Sequence, residues 1–274
     1  MAASLFRFLG LLGCGAVLAL TARGQAPVPP AASVPVAPSD EQSYRKEFVF
    51  GVNFNTQGGI LGGASIRSAR VRDDEWLRFW SLEGVMLKNA KEERSSNNAT
   101  GGSFISHKVN YAFALRPSVG VQRVLFRKAA DAGVQVNALL SAGPSLGLLM
   151  PYYISYDRTA AKTTPIVYNL QTDEIVNEQY DPAKHIKPEA ILDRGPLFSG
   201  IGQTRVVPGF HVRGGLSFEY GRYRDAVTGL EVGFLVEAYT RRLVILSPGN
   251  AEVDNVNNQF FPSVYLTLYF GHRS

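Results

Sequence analysis

The chain has 274 residues and a formal net charge of +5, with 19% charged residues, 11% aromatics, 27 glycines and a single cysteine, Cys14. That composition excludes a disordered tail, a coiled coil and a collagen. A lone cysteine forms no intramolecular disulfide and no thiolate metal site, which excludes zinc ribbons, iron–sulfur proteins and cysteine enzymes, and the charge is too small to argue for nucleic acid.

Taken in chain order, residues 1–24 read as a secretory signal peptide. Arg7 is followed by an apolar run from Phe8 to Leu20 and then by small residues, so cleavage is expected after Gly24 or Ala26. The run is shorter than the ~20 residues a spanning helix needs. Leu11-Leu12-Gly13-Cys14 also admits a lipoprotein reading with Cys14 lipidated, but the apolar run continues through Val17, Leu18 and Leu20, so Cys14 is expected to leave with the signal. Loss of Arg7 and Arg23 then takes the charge from +5 to about +3. Residues 25–46 form a Pro/Ala-rich linker, an extended periplasmic tether.

From residue 47 onward the signal is period-two alternation. Phe210, Val212, Gly214, Leu216, Phe218 and Tyr220 share one face, and His211, Arg213, Gly215, Ser217 and Glu219 the other. Leu230 to Tyr239 and Val264 to Gly271 repeat the pattern. Eight strands are predicted, at 47–56, 59–69, 76–88, 109–126, 133–148, 207–221, 228–242 and 259–271. Each supplies the 9–11 residues a tilted strand needs to cross a bilayer. Connections after the second, fourth and sixth strands are short; those after the third, fifth and seventh are long or polar, and only Gln57-Gly58 breaks the rule. That asymmetry predicts an all-β, antiparallel transmembrane β-barrel of the outer-membrane type, with both termini on the periplasmic side.

A soluble sandwich or lipocalin-like barrel alternates too, with its apolar face inward. Against it, the polar face here is Gly-, Ser-, Asn- and Gln-rich rather than dense in Lys and Glu. Aromatics such as Trp76, Trp80, Tyr152, Tyr153, Phe260 and Phe261 also gather towards strand ends, as interfacial girdles do.

The segments Arg78-Phe-Trp-Ser-Leu-Glu83, Val124-Leu-Phe-Arg-Lys128, Ala142-Gly-Pro-Ser-Leu-Gly147, Tyr180-Asp-Pro-Ala-Lys-His185, Leu230-Glu-Val-Gly233 and Asn258-Gln-Phe-Phe-Pro262 resemble an uncharacterised family of outer-membrane β-barrel proteins from Bacteroidota. The resemblance covers residues 47–274 and implies a barrel fold and an outer-membrane location, with no activity attached. Phe270 is followed by Gly-His-Arg-Ser rather than ending the chain, so an insertion signal would be internal.

The strand register puts Arg67, Glu83, Arg116, Gln122, Asn137, His211, Arg213, Glu219, Glu231 and Glu237 on the inward face. In an eight-stranded barrel these charges are expected to pair into a lumen plug. A polar conduit with Arg116 and Arg213 as selectivity charges is the alternative, and would need ten strands, with 149–156 and 165–172 as an extra hairpin. Arginine at Val212 or Val232 is expected to be costly, and at Ser217 mild.

The loop at about 158–206 contains a predicted short helix over Tyr180–Asp193, capped by Asp181, with His185 reading as a surface histidine. A metal or acid–base role for His185 with Asp181 or Glu189, in an envelope enzyme using this loop, lacks a second histidine at ligand spacing. No G-x-S-x-G, H-E-x-x-H or P-loop occurs. The sequence therefore reads as a non-catalytic outer-membrane barrel without cofactor. Its expected partners are outer-membrane lipid, the barrel-assembly machinery and an external or envelope partner met through the loops.

Overall fold

A sheet whose strands alternate in polarity can hide both edges only if its last strand finds its first. In the computed structural model, which describes residues 44–127, 133–169, 171–220, 226–248 and 253–274, it does. The strands are β1 (Lys46–Asn55), β2 (Gly59–Val71), β3 (Trp76–Leu87), β4 (Arg94–Ser96), β5 (Ser103–Ile105), β6 (Asn110–Phe126), β7 (Val134–Pro151), β8 (Tyr153–Asp157), β9 (Ile175–Gln179), β10 (Ile191–Arg194), β11 (Arg205–Tyr220), β12 (Ala226–Tyr239) and β13 (Phe260–Arg273). Eight of them close an antiparallel barrel in the order β1-β13-β12-β11-β7-β6-β3-β2. Each barrel strand pairs with its successor, and β1 with β13. The eight predicted strands match these to within three residues at either end. The expected signal peptide and nearly all of the expected linker lie outside the described residues.

The ten-stranded alternative is corrected. Residues 149–156 finish β7 and form most of β8, but β8 pairs with β9 and β10 in a separate three-stranded sheet, and no strand forms at 165–172 among the described residues. The physical reason is packing. Ile154 and Tyr156 of β8 are buried against Tyr152, Tyr180 and Ile191 beyond the barrel mouth, so this segment has no row of outward apolar residues with which to extend the barrel wall.

Alternation sorts the side chains cleanly. Phe210, Phe234 and Phe270 point outward at 55%, 70% and 57% exposure, while His211, Glu219 and Glu237 point inward at 2%, 1% and 0%. At the short-turn end the interior begins with an apolar floor of Ala69, Leu77, Phe79, Val124 and Leu139. At the long-loop end the β12–β13 connection folds into the mouth, where Leu243, Ile245 and Leu246 pack on Val85, Leu87, Leu149 and Val207. Asn257 ties that connection down: its side-chain oxygen accepts from the amides of Ile245 and Leu246 at 2.8 and 3.0 Å, and its nitrogen donates to the carbonyls of Leu246 and Val253 at 2.7 and 2.8 Å.

Above the mouth stands a cap with its own core. The β8–β10 sheet and the β4–β5 hairpin enclose Phe104, Tyr152, Ile154, Tyr156, Tyr180 and Ile191. Asn97 joins the two loops by donating to the carbonyls of Glu189 and Ile191 at 2.8 and 2.9 Å. The helix expected over Tyr180–Asp193 is corrected to a single turn. The amides of Lys184 and His185 bond back to Asp181, a 3₁₀ turn follows at Pro188–Ala190, and Ile191–Arg194 is strand. Pro188 has no amide to continue a helix, and Ile191 and Leu192 are buried in the cap.

Candidate functional site

The lumen between floor and stopper is where the polar faces of eight strands meet. Period-two geometry sends Arg67, Glu83, Arg116, His211, Arg213, Glu219, Glu231 and Glu237 into it from five of the barrel strands. Six of them form one continuous chain. Arg116 grips Glu237 through two parallel hydrogen bonds, Nε–Oε1 at 2.9 Å and Nη2–Oε2 at 2.8 Å, and reaches Glu83 Oε2 with Nη1 at 3.2 Å. Glu83 accepts from Arg213 at 3.2 Å on its other oxygen, Arg213 donates to Glu231 at 2.9 Å, and Glu231 accepts from Arg67 at 2.7 Å. Charges thus alternate in sign, so none faces a like charge without an opposite one between.

His211 stands beside this chain. It lies opposite Glu237 in the β11–β12 register, with Nδ1 3.0 Å from Ser145 Oγ. Asn137 donates to Ser217 at 3.0 Å and accepts from Gln135 at 2.9 Å, and Gln122 is buried at 1% exposure. Glu219 is separate: it joins Arg273, which also donates to Glu47 through Nε at 3.0 Å and Nη2 at 2.9 Å. The ring of Tyr44 covers the Arg273 guanidinium at 4.3 Å.

Aromatic and glycine residues fit the network into its space. Tyr265 donates to Glu231 at 2.8 Å and lies against Arg213 at 3.8 Å from its ring centroid. It occupies room left by Gly215 and Gly233, where an added Cβ would stand 2.4 and 2.7 Å from the Tyr265 hydroxyl. A cavity of about 30 Å³ remains, bordered by Arg67, Ser141, Arg213 and Glu231. That is room for one or two waters, not for a stream of hydrated ions. The expectation that arginine at Ser217 would be mild is corrected: Ser217 is fully buried and hydrogen-bonded to Asn137, so a guanidinium there would break that bond and add a buried charge.

Sequence reasoning missed Glu47, Arg273 and Tyr265 as members, and also Asn53, which donates to Glu83 at 2.5 Å and to Thr267 at 3.2 Å. The alternation running through Tyr265, Thr267, Tyr269 and Gly271 puts Arg273 on the inward face, and Glu47 shares the face of Val49 and Asn53, so extending the period to the strand ends would have found both.

In the cap, His185 is not a surface histidine but 4% exposed. Its ring stacks on Tyr180 at 5.6 Å and meets Tyr156 edge-on at 4.6 Å. Nδ1 lies 2.9 Å from the Asp181 amide, and Nε2 lies 3.2 Å from Glu178. The carboxylate beside it is thus Glu178, not Asp181 or Glu189. Arg158 bridges Glu174 and Glu178, and its hydrogen bond, with that of His185, holds the Glu178 carboxyl below the ordinary value of 4.5 against a smaller opposing effect of burial. Elsewhere in the cap, burial pushes the Lys108 ammonium down, partly offset by Glu92 at 2.8 Å. Among the described residues no group of His, Cys, Asp and Glu is arranged to hold a metal ion.

No protein-family model matches the chain, and no curated protein matches it in sequence. Among solved structures it is similar to Ail, the attachment invasion locus protein of Yersinia pestis, at 8% identity and a TM-score of 0.36. The same protein in complex with the heparin analogue sucrose octasulfate gives 8% and 0.34. Both alignments cover 84% of this chain and 99% of the other. At that identity and TM-score the likeness says nothing about activity.

Proposed function

We propose that the chain is a small outer-membrane protein whose lumen is a side-chain plug rather than a pore, and whose cap meets an external or envelope partner without catalysis. The observation that carries this reading is the alternating chain Glu237–Arg116–Glu83–Arg213–Glu231–Arg67, sealed between an apolar floor and the Leu243–Leu246 stopper.

The barrel's polarity supports the membrane. A soluble barrel keeps its ion pairs in water and its apolar residues inside. Here the charges are enclosed while Phe50, Val119, Leu140, Phe210, Phe234 and Phe270 face outward. Short turns at one end and an elaborated cap at the other suit the periplasmic and external sides. A signal peptide at 1–24, insertion by the barrel-assembly machinery and kinship with Bacteroidota barrels belong to the same proposal. The channel reading loses its premise, because 149–156 and 165–172 add no hairpin to the barrel among the described residues.

Planar-bilayer recording tests the plug. Purified protein is expected to give no stable conductance, and reproducible single-channel steps that change selectivity on substitution of Arg213 would move it to the transport class. Cell fractionation with N-terminal sequencing tests the location: the mature chain should begin near Gln25 or Ala26, lack Cys14 and sediment with the outer membrane. Intact residues 1–24, or release by salt, would refute export to that membrane.

A further inference from the structure

On the outer wall at the short-turn end, three cations stand in one cross-strand row. Lys46 of β1 is directly opposite Arg70 of β2, and Arg70 is directly opposite Arg78 of β3. All three point outward and are exposed. Side chains so placed have Cβ atoms about 4.5–5.5 Å apart, and like charges there repel. Of the neighbouring turn acids, Asp73 lies 3.6 Å from Arg72 and Glu75 lies 3.2 Å from Arg123, while Asp74 forms no ion pair with any of the three cations among the described residues. None of Lys46, Arg70 and Arg78 forms an ion pair among the described residues.

Beyond Arg78 the same row turns apolar, continuing through Val121 of β6 and Leu140 of β7, while Trp80 and Val119 pair in the next outward row. Together these residues line an open groove on the wall, with arginines at one end and hydrocarbon surface at the other. A repelling row of cations calls for an anion, guanidinium groups suit phosphate oxygens, and the apolar stretch facing the bilayer suits an acyl chain.

We infer that this groove is a binding site for an acidic glycerophospholipid of the periplasmic leaflet. Its phosphate sits between Arg70 and Arg78 with Lys46 at the edge, and its acyl chain lies along Trp80, Val119, Val121 and Leu140. The inference rests on the membrane reading proposed above. A nucleic-acid partner would leave the apolar end of the groove without a role, and a zwitterionic lipid would bring its own cation beside the phosphate and so match the row less well.

The chain has two tryptophans, Trp76 and Trp80, and both are on β3 beside the groove, so their fluorescence reports on the lipid touching it. The full chain is folded into phosphatidylcholine vesicles containing either brominated phosphatidylglycerol or brominated phosphatidylcholine in equal amount. Quenching by the phosphatidylglycerol should exceed quenching by the phosphatidylcholine. The variant R70Q/R78Q should lower that preference on the order of 30-fold, roughly fivefold for each cation removed near an anionic lipid. R158Q, which removes an arginine paired with Glu174 and Glu178 in the cap, should leave it unchanged, and single R70Q and R78Q variants serve if the double variant does not fold. Equal quenching by both lipids, or a preference that survives R70Q/R78Q, overturns the site while leaving the membrane reading intact. Absence of quenching by either lipid overturns the membrane reading itself.

Discussion

The guanidinium of Arg213 lies 3.8 Å from the ring centroid of Tyr265, whose hydroxyl donates to Glu231, the carboxylate that Arg213 itself binds. The three side chains come from three neighbouring strands, β11, β13 and β12, so their contact reports that the register across all three is set. A one-residue slip would turn every one of them outward.

Removing one member of this network leaves its partners enclosed and unpaired. Arg213→Ala and Glu219→Ala are each expected to lower barrel stability by about 3–5 kcal/mol, the range for breaking a buried ion pair. Urea titration of protein folded in vesicles measures it; losses within error of zero for both would mean a hydrated lumen.

The glycines beneath Tyr265 give a second check. A Cβ at Gly233 would stand 2.2 Å from the Gly214 carbonyl oxygen and 2.7 Å from the Tyr265 hydroxyl. Gly233→Ala should therefore cost about 1–3 kcal/mol by overpacking. Because Tyr265 must move, the added loss from Arg213→Ala in the same chain should be smaller than in the parent. Full additivity in the double-mutant cycle would show that the ring does not support the guanidinium.

On the outer wall, Val212 and Val232 are 43% and 39% exposed. Arginine at either should cost about 2–4 kcal/mol if it faces lipid near mid-membrane. A harmless outcome in a refolding titration would place water, not lipid, against those strands.

The cap has its own pH response. The Arg158 and His185 hydrogen bonds depress the Glu178 pKa in the folded cap, so their contribution is complete above the ordinary carboxylate value of 4.5 and is lost as the pH falls through the lower folded value. Limited pepsin digestion should accordingly cut the 158–200 region faster as the pH drops below 4.5, with the barrel strands still protected. Glu178→Gln should flatten that dependence. A cut rate in the parent no more pH-dependent than in the variant would show that Glu178 does not control the cap.

The barrel was legible in the sequence because the two faces of each strand meet opposite environments, which writes a period of two into 10 to 18 residues at a time. Most of the inward charges were legible for the same reason, down to Arg67 on the glycine-rich second strand, with Glu47 and Arg273 at the strand ends the exceptions. Which arginine meets which glutamate was not, because pairing depends on register and on space. Tyr265 reaches Glu231 only because Gly215 and Gly233 leave room, and nothing local to any of these residues says so. The stopper was illegible for a different cause. Leu243, Ile245 and Leu246 sit in a connection without periodicity, and their placement depends on four hydrogen bonds made by Asn257, a residue that reads as ordinary loop. His185 was misread because burial of a loop residue comes from the small sheet around it, whose short strands β8, β9 and β10 carry too few residues to show a pattern.

The clasp of Glu47, Glu219 and Arg273 has a bearing on assembly. It joins the first barrel strand to the last across 226 positions of sequence, from Glu47 on β1 to Arg273 on β13. Until β13 is in place, β1 has no partner on one side, and the open sheet carries two raw edges available to any other strand. Closure is thus the final and most distant pairing of the fold, the kind that forms slowly because so much chain must be looped to reach it. An arginine that finds two carboxylates, one on β1 and one on β11, rewards only the seam in correct alignment. The clasp acts as a latch that distinguishes a finished cylinder from a curled sheet.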